Sequence, residues 1–358
     1  MGSRQEQYSG TREVREAHQF DVGRLEEYML SHVEHFQGPL TVKQFKGGQS
    51  NPTYLLESPS GKYVMRRKPP GKLLKSAHAV DREFKVISAL YAADFPVPRP
   101  WVLCKDEEIA GTMFLIMDFV EGRIFWEPDL PDLDKDERAA IYDNVGQTIA
   151  RLHNFDHEKI GLGDYGKPGN YFARQISRWS RQYYASETVK LGKMDKLIEW
   201  LPENIPEDES VSVVHGDFRL DNLIIHPTEP IVIAVLDWEL STIGHPLGDF
   251  TYHLMAWQMP DIGIGASGLV GKDLMALGIP TEGEYVAAYC ERTGRSEGIH
   301  NRDFYAAYNF FRIAAILQGI EGRVRDGTAA SAHAERAGKA VPALVEIAWS
   351  YARKAGAA

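Results

Sequence analysis

Cysteine is nearly absent: the 358 residues include two, Cys104 and Cys290, and no Cys-x-x-Cys pair. A disulfide framework and a structural zinc site are therefore not expected, and a reducing compartment suits the chain. Long apolar runs are missing too, and nothing approaches the roughly 18 consecutive apolar residues of a membrane span. The first nineteen residues are polar and hold no apolar signal-peptide core, so they read as a mobile arm and the protein as cytoplasmic. Positive charge is in deficit, since 40 Lys and Arg against 50 Asp and Glu leave a formal charge of −10. That balance argues against nucleic acid or an anionic membrane surface as a partner. Internal repeats and low-complexity tracts are lacking. What remains is 44% hydrophobic, a globular composition long enough for a sizeable core and two sub-domains.

Asp21 is placed to cap a helix running through Leu25, Tyr28, Met29, His32 and Val33. Extended runs follow at Leu40 to Phe45, Thr53 to Glu57 and Lys62 to Arg67, the last two joined by the turn Pro59-Ser60-Gly61. The spacing then predicts a helix over about His78 to Ala93, with Val80, Phe84, Ile87 and Leu90 on one face. Phe95 to Pro100 reads as a stiff connection and Met113 to Phe119 as a buried strand. Beyond Gly122 helices dominate: Lys135 to Asn154, Tyr171 to Ser186, Met194 to Leu201, Thr281 to Thr293, Asn301 to Glu321 and Ala330 to Ala355. Two short apolar runs, Val211 to Val214 and Ile231 to Leu236, interrupt them. A small strand-rich unit followed by a larger helical one makes an α+β chain.

The stretch richest in chemistry is His215-Gly216-Asp217-Phe218-Arg219-Leu220-Asp221-Asn222. An apolar run ends just before it and another begins at Leu223. Asp217 and Asn222 lie five positions apart (222 − 217 = 5), and the run Ile231 to Leu236 presents Asp237 fifteen positions after Asn222 (237 − 222 = 15). A hairpin brings Asn222 and Asp237 to the same end. Two hard oxygen ligands beside a separate carboxylate suit magnesium-assisted phosphoryl transfer. Mg²⁺ takes few protein oxygens, and the other carboxylate can accept the proton of the attacking hydroxyl.

His-Gly-Asp, four residues, Asn, and then Leu236-Asp237-Trp238-Glu239 resemble the aminoglycoside phosphotransferase and choline kinase group, over about Thr41 to Trp257. The stretch Arg66 to Leu74 with Ser76 to Glu83 is most similar to the kinase-like domain fused to certain acyl-CoA dehydrogenases. The resemblance implies a two-lobe protein-kinase-like α+β fold. After the arm at 1–19 come an ATP-binding N-lobe with a small antiparallel sheet at 20–118, a hinge at 119–122 and a helical C-lobe at 123–358. It implies ATP and Mg²⁺ as cofactors and a small-molecule hydroxyl compound as partner. By the same resemblance Asp217 is the catalytic base, and Asn222 and Asp237 are metal ligands, with Glu239 a further neighbour. Gly47, Gly48, Gln49 and Ser50 form the turn over the ATP phosphates. Arg66 stands where protein kinases carry the phosphate-binding lysine, with Lys68 on the same strand face as its rival. Glu83 pairs with that cation, and Met117, Phe119 and Val120 surround adenine. His215 shapes the loop, Asp249 orders it, and His153 is a packed structural histidine.

Candidate acceptor-side residues are Trp179, Arg181, Tyr183, Trp257 and Arg312. Arg174, Arg178 and Arg181, followed by Lys190, Lys193 and Lys196, make this region locally basic, which favours an anionic acceptor over a polycationic antibiotic unless the face is simply solvated. The resulting reading is a small-molecule kinase acting on a hydroxyacyl-CoA or a similar anionic alcohol. The alternatives are an inactive nucleotide-binding scaffold and an aminoglycoside kinase. A metal-dependent hydrolase is disfavoured by the lack of repeated His-x-Asp or His-x-x-x-His sets.

Overall fold

A computed structural model describes residues 10–46, 51–69, 79–262, 268–325 and 332–358. The chain divides into two compact units. The first comprises Met1–Trp126, Glu158–Tyr165 and Leu220–Ser241, and the second Glu127–His157, Gly166–Arg219 and Thr242–Ala358.

The first unit is built on an antiparallel sheet. Its strands are β1 (Thr11–Arg12), β2 (Thr41–Phe45), β3 (Thr53–Ser58), β4 (Gly61–Arg67), β5 (Pro100–Cys104) and β6 (Phe114–Asp118), in the order β1-β2-β3-β4-β6-β5. Strand alternation sorts the side chains of β4. Tyr63 and Met65 enter the core that Tyr54, Leu56, Phe114 and Ile116 form with Leu25 and Met29 of the helix Val22–His32. Val64 and Arg66 take the other face, opposite Met117 and Leu115 of β6. Asp21 caps the helix as its position predicted, accepting from the Arg24 amide.

Two departures from the sequence reading occur here. Residues 10–19, expected within a mobile arm, are structured: Thr11 and Arg12 pair with Phe45 and Gln44. Gln44 anchors the segment by accepting from the Arg15 amide at 3.2 Å, a link between residues 29 apart that local pattern cannot show. β5 was also not foreseen. It begins at Pro100 on the sheet edge, where a proline removes no ladder hydrogen bond, and its register with β6 shifts between Pro100 and Val102.

The hairpin of β7's successors completes the first unit. After β7 (Ser212–Val214), which belongs to the second unit, come β8 (Leu223–Ile225) and β9 (Val232–Val235), paired antiparallel with Leu223 opposite Val235. The sequence reading assigned this hairpin to the C-terminal lobe. It sits with the strand-rich unit because the Val235 amide donates to the Pro96 carbonyl and Phe95 packs edge-on to Trp238.

The second unit is helical around the pair β7 and β10 (Thr242–Gly244). Helices at Lys135–His153, Tyr171–Ser186, Gly192–Glu203, Glu282–Arg292, Arg302–Arg325 and Ala332–Lys354 lie where the periodicity places them. Sequence-local caps fix their starts: Asp134 accepts from the Glu137 amide, and Thr281 with Glu284 forms a reciprocal capping box. The last two helices pack along each other. Among the described residues no helix is long and apolar enough to cross a membrane.

Candidate active site

The first unit gathers three charged residues predicted from the sequence. Arg66 projects from β4 and is nearly buried. Its Nη1 lies 2.8 Å from Glu83 Oε1, and its Nη2 donates to Asp237 Oδ1 at 2.9 Å. Glu83 is 1% exposed in the first turn of the helix Val80–Ala92, where a carboxylate also suits the helix dipole. Burial alone would weaken the Arg66 charge, but Glu83 and then Asp237 reverse that effect and hold the guanidinium firmly protonated. Burial pushes the Glu83 carboxyl up to about 7, and Arg66 limits that rise by pulling it down. A permanently charged guanidinium at 2.8 Å decides for the ionised pair. The rival Lys68 instead lies 3.8 Å from Asp81. Arg67 points to the opposite sheet face and donates to the carbonyls of Ala110 and His18.

Asp237 reaches Arg66 because of how β9 ends. The Leu236 amide donates to the Asn222 carbonyl at 2.8 Å, so Asn222 and Asp237 stand at one end of the hairpin. Asp237 then adopts φ 65° and ψ 60°, a left-handed conformation that few non-glycine residues accept, and turns the chain into the short helix Trp238–Leu240. Buried Trp238 locks that turn by donating from its indole to the Val235 carbonyl at 2.9 Å. The Asp237 side chain is 42% exposed. Two hard oxygen side chains on neighbouring residues of a pinned hairpin, one a half-exposed carboxylate, make a donor set that fits Mg²⁺. Among the described residues no group of three or more His, Cys, Asp or Glu could hold a metal ion, so the set is a sparse one.

The segment expected to face adenine runs off the end of β6. The Asp118 amide donates to the Arg99 carbonyl, and the Phe119 amide to the Lys62 carbonyl at 3.2 Å. Met117 is buried, while Phe119 and Val120 are partly exposed. Gly122 lies against β8: a Cβ there would stand 2.4 Å from Ile224 Cγ2 and 2.5 Å from the Ile225 carbonyl oxygen. Only glycine allows that approach, which Arg123 and Ile225 seal with two reciprocal backbone hydrogen bonds. Gly47, Gly48, Gln49 and Ser50 lie outside the described residues.

Asp217 lies in the second unit, on the loop after β7. The loop is held from below. Asp249, 1% exposed in the helix Pro246–His253, accepts from the amides of His215 at 2.7 Å and Gly216 at 2.8 Å. His153 donates to the same carboxylate from Nε2 at 3.3 Å, while its Nδ1 bonds the Tyr289 hydroxyl at 2.8 Å. Burial works against the Asp249 charge, but the bonds from His153 and His215 hold its carboxyl below the ordinary range. Gly216 takes φ 85°. Buried His215 accepts from the Asp217 amide at Nδ1, 3.1 Å away, which fits its expected loop-shaping role.

Tyr252 was not singled out from the sequence. Its hydroxyl donates to Asp217 Oδ1 at 2.5 Å. Burial, then the Asp217 charge, raises the phenol well above its usual range, so it remains a donor at neutral pH. The available signal was spacing: Tyr252 follows Asp249 by three positions in one helix (252 − 249 = 3), so both face the loop. Arg219 Nε lies 3.5 Å from the same Asp217 oxygen.

The five acceptor-side candidates separate. Arg312 and Trp179 stand together near this loop, with the guanidinium 5.9 Å from the Trp179 ring. Trp257 does not join them. It is buried between Tyr142 and Tyr285 and donates to the Pro280 carbonyl, so packing accounts for it. Arg181 is exposed and donates to the Ser177 carbonyl of its own helix, and Tyr183 is buried beside Tyr184.

The phosphotransferase enzyme family, APH, matches residues 41–305. Acyl-CoA dehydrogenase family member 10 of Mus musculus is 43% identical over 347 residues, which cover 97% of this chain and 32% of that protein. Family member 11 of Gallus gallus is 42% identical over 343 residues, 94% of this chain and 44% of that protein. The chain thus spans less than half the length of these relatives. A solved structure from Ralstonia eutropha jmp134, provisionally described as an aminoglycoside phosphotransferase, shares 52% identity at a TM-score of 0.85, covering 94% of this chain and 99% of that one. Choline kinase of Cryptosporidium parvum Iowa II shares the fold at 12% identity and a TM-score of 0.65, over 91% of this chain and 95% of its own. The fold class is the α+β, protein-kinase-like one implied by the sequence.

Proposed function

The chain belongs to the phosphotransferase enzyme family, and from that premise we propose that it moves the γ-phosphate of ATP, with Mg²⁺, onto a hydroxyl of a small anionic metabolite, a hydroxyacyl-CoA being the leading acceptor. The observation that carries this reading is the buried Arg66 held between Glu83 and Asp237. A cation fixed by a helix glutamate and shared with an aspartate at the end of a hairpin is the arrangement that kinase chemistry uses to order a nucleoside triphosphate.

Arg66 meets the phosphates, and its fork can clamp two oxygens at once. Glu83 keeps that fork aimed. Asp237 and Asn222 would hold the metal, which would supply neutralisation of phosphate charge. Asp217, oriented by Tyr252, positions the acceptor hydroxyl and takes its proton. The hinge 119–122 receives adenine.

An assay coupling ATP consumption to a panel of alcohols tests the reading. Asp217→Ala should abolish transfer, by about 10²-fold or more, and leave nucleotide binding largely intact. Asp237→Ala should weaken Mg·ATP binding itself. Unchanged turnover in either variant contradicts the roles given. The likeness to the Ralstonia eutropha protein favours aminoglycosides as a second acceptor class, so they belong in the panel. ATP binding without turnover on any alcohol would point to a scaffold.

A further inference from the structure

Arg312 is an unusual residue to leave in a protein interior. It lies in the helix Arg302–Arg325 and is 4% exposed. One nitrogen, Nη2, donates to the Gly216 carbonyl, one residue before Asp217. The other two, Nε and Nη1, are buried and have no hydrogen-bond partner. No carboxylate forms an ion pair with Arg312 among the described residues. Its surroundings are aromatic: the guanidinium lies 5.1 Å from the Tyr252 ring and 5.9 Å from the Trp179 ring. Such faces attract a cation by about 0.5–2 kcal/mol, less than the several kcal/mol that a buried ion loses with its water.

The nearby charges deepen the imbalance. Arg178, on the helix Tyr171–Ser186 with its guanidinium 5.0 Å from the Trp179 ring, forms no ion pair with a carboxylate among the described residues either. Its charge is opposed by partial burial and then by Arg312 itself. Burial works against the Arg312 charge, but the hydroxyl-bearing rings of Tyr308, Tyr171 and Tyr252 and then Asp217 outweigh it and keep the guanidinium protonated. That one carboxylate is already bonded by Tyr252 and approached by Arg219. Two guanidiniums therefore share one neighbourhood, and Arg312 keeps two buried donors that no acceptor among the described residues meets.

We propose that Arg312, backed by Arg178, forms an oxyanion-binding subsite beside the Asp217 loop, and that it takes a carboxylate or phosphate carried by the acceptor alcohol. The subsite rests on the proposed kinase reading for the identity of its ligand, though not for its capacity to bind an anion. A planar guanidinium keeps one unused donor on each of its two open edges here, Nε on one and Nη1 on the other, so an oxyanion arriving at either edge receives a charge-assisted hydrogen bond. Because Nη2 holds the Gly216 carbonyl, an anion gripped there is fixed relative to the next residue, the base. The subsite would thus select alcohols whose hydroxyl stands at a set distance from a negative group.

Two measurements on the full chain test this. The first needs no turnover: butyrate and inorganic phosphate are titrated calorimetrically into the wild-type protein without nucleotide. At least one should saturate. Arg312→Gln should weaken it at least about 30-fold, the lower end for removing a buried charge partner, and Arg312→Lys should recover part of the loss. The second, with ATP and Mg²⁺, compares a short hydroxycarboxylate and a hydroxyalkyl phosphate with the methyl ester of the former. Wild type should prefer an anionic acceptor to the ester by a similar factor in kcat/KM, and Arg312→Gln should lose that preference while KM for ATP holds. The wild-type comparisons stand even if the glutamine variant does not fold. The proposal is overturned if neither anion binds, if the ester matches the acids, or if Arg312→Gln raises KM for ATP and leaves acceptor preference intact. Arg312-dependent anion binding with no alcohol phosphorylated would refute the kinase reading and leave the subsite standing. Phosphorylation of neutral alcohols as readily as acids would do the reverse.

Discussion

Asp249 shows how much can depend on one side chain that never meets a substrate. Its two oxygens collect the His215 and Gly216 amides and His153. Truncation would leave two backbone donors and a histidine without an acceptor in a site from which water is excluded. Asp249→Ala should therefore lower stability by about 3–5 kcal/mol, read as a shift of the urea midpoint, and an unchanged midpoint would refute the role. Asn should not rescue it, because its amide nitrogen would face a donor. The family resemblance made Asp249, His153 and His215 legible, since each lies in a short stretch that carries it. Tyr252 and the isolation of Arg312 were not legible. Whether a guanidinium has a partner depends on the packing of distant helices, and a sequence shows charges without their neighbours.

At the scale of elements, the hairpin β8–β9 is secured by a glycine outside it. The approach of Gly122 to Ile224 and Ile225 leaves no room for a methyl group, and one of the two atoms it would strike is backbone. Gly122→Ala should destabilise the protein by about 1–3 kcal/mol, the usual cost of overpacking. Since β8 follows directly on Asn222, it should reduce phosphotransfer more than a surface substitution of equal stability cost. Thermal melts paired with the ATP assay check this, and a variant as stable and active as wild type would dismiss the contact. The longer helices were legible because amphipathic spacing and cap residues agreed. β1 and β5 escaped because one has two residues and the other opens on proline, so each owes its strand state to the neighbour that pairs with it.

The molecule as a whole should respond to acid through two buried histidines of the second unit. His245 accepts from the Leu247 amide at Nδ1 and donates from Nε2 to the Asp208 carbonyl, so both nitrogens are satisfied only in the neutral ring. Burial lowers His245 to about 4, and burial lowers His253 likewise to about 4, against 6.5 for a free imidazole. With depressed folded values, the stability contribution is complete above 6.5 and is lost progressively as the pH falls from 6.5 to about 4, because over that window the unfolded chain takes up protons that the folded one refuses. Each histidine should cost about 2 kcal/mol between pH 7 and pH 5, visible in denaturant midpoints at constant ionic strength. A flat profile over that range would show that the rings are not held neutral. The two units are also threaded through one another along the sequence, each assembled from three separate stretches. Arg66 and the Asp237 it bonds are 171 residues apart. On the ribosome, the sheet is therefore made long before the hairpin that completes its unit emerges. For that interval the nascent chain carries a cation and Glu83 whose third member does not yet exist. No cut at the hinge could release the strand-rich unit whole, so its binding chemistry is a property of the finished polypeptide and not of its first third.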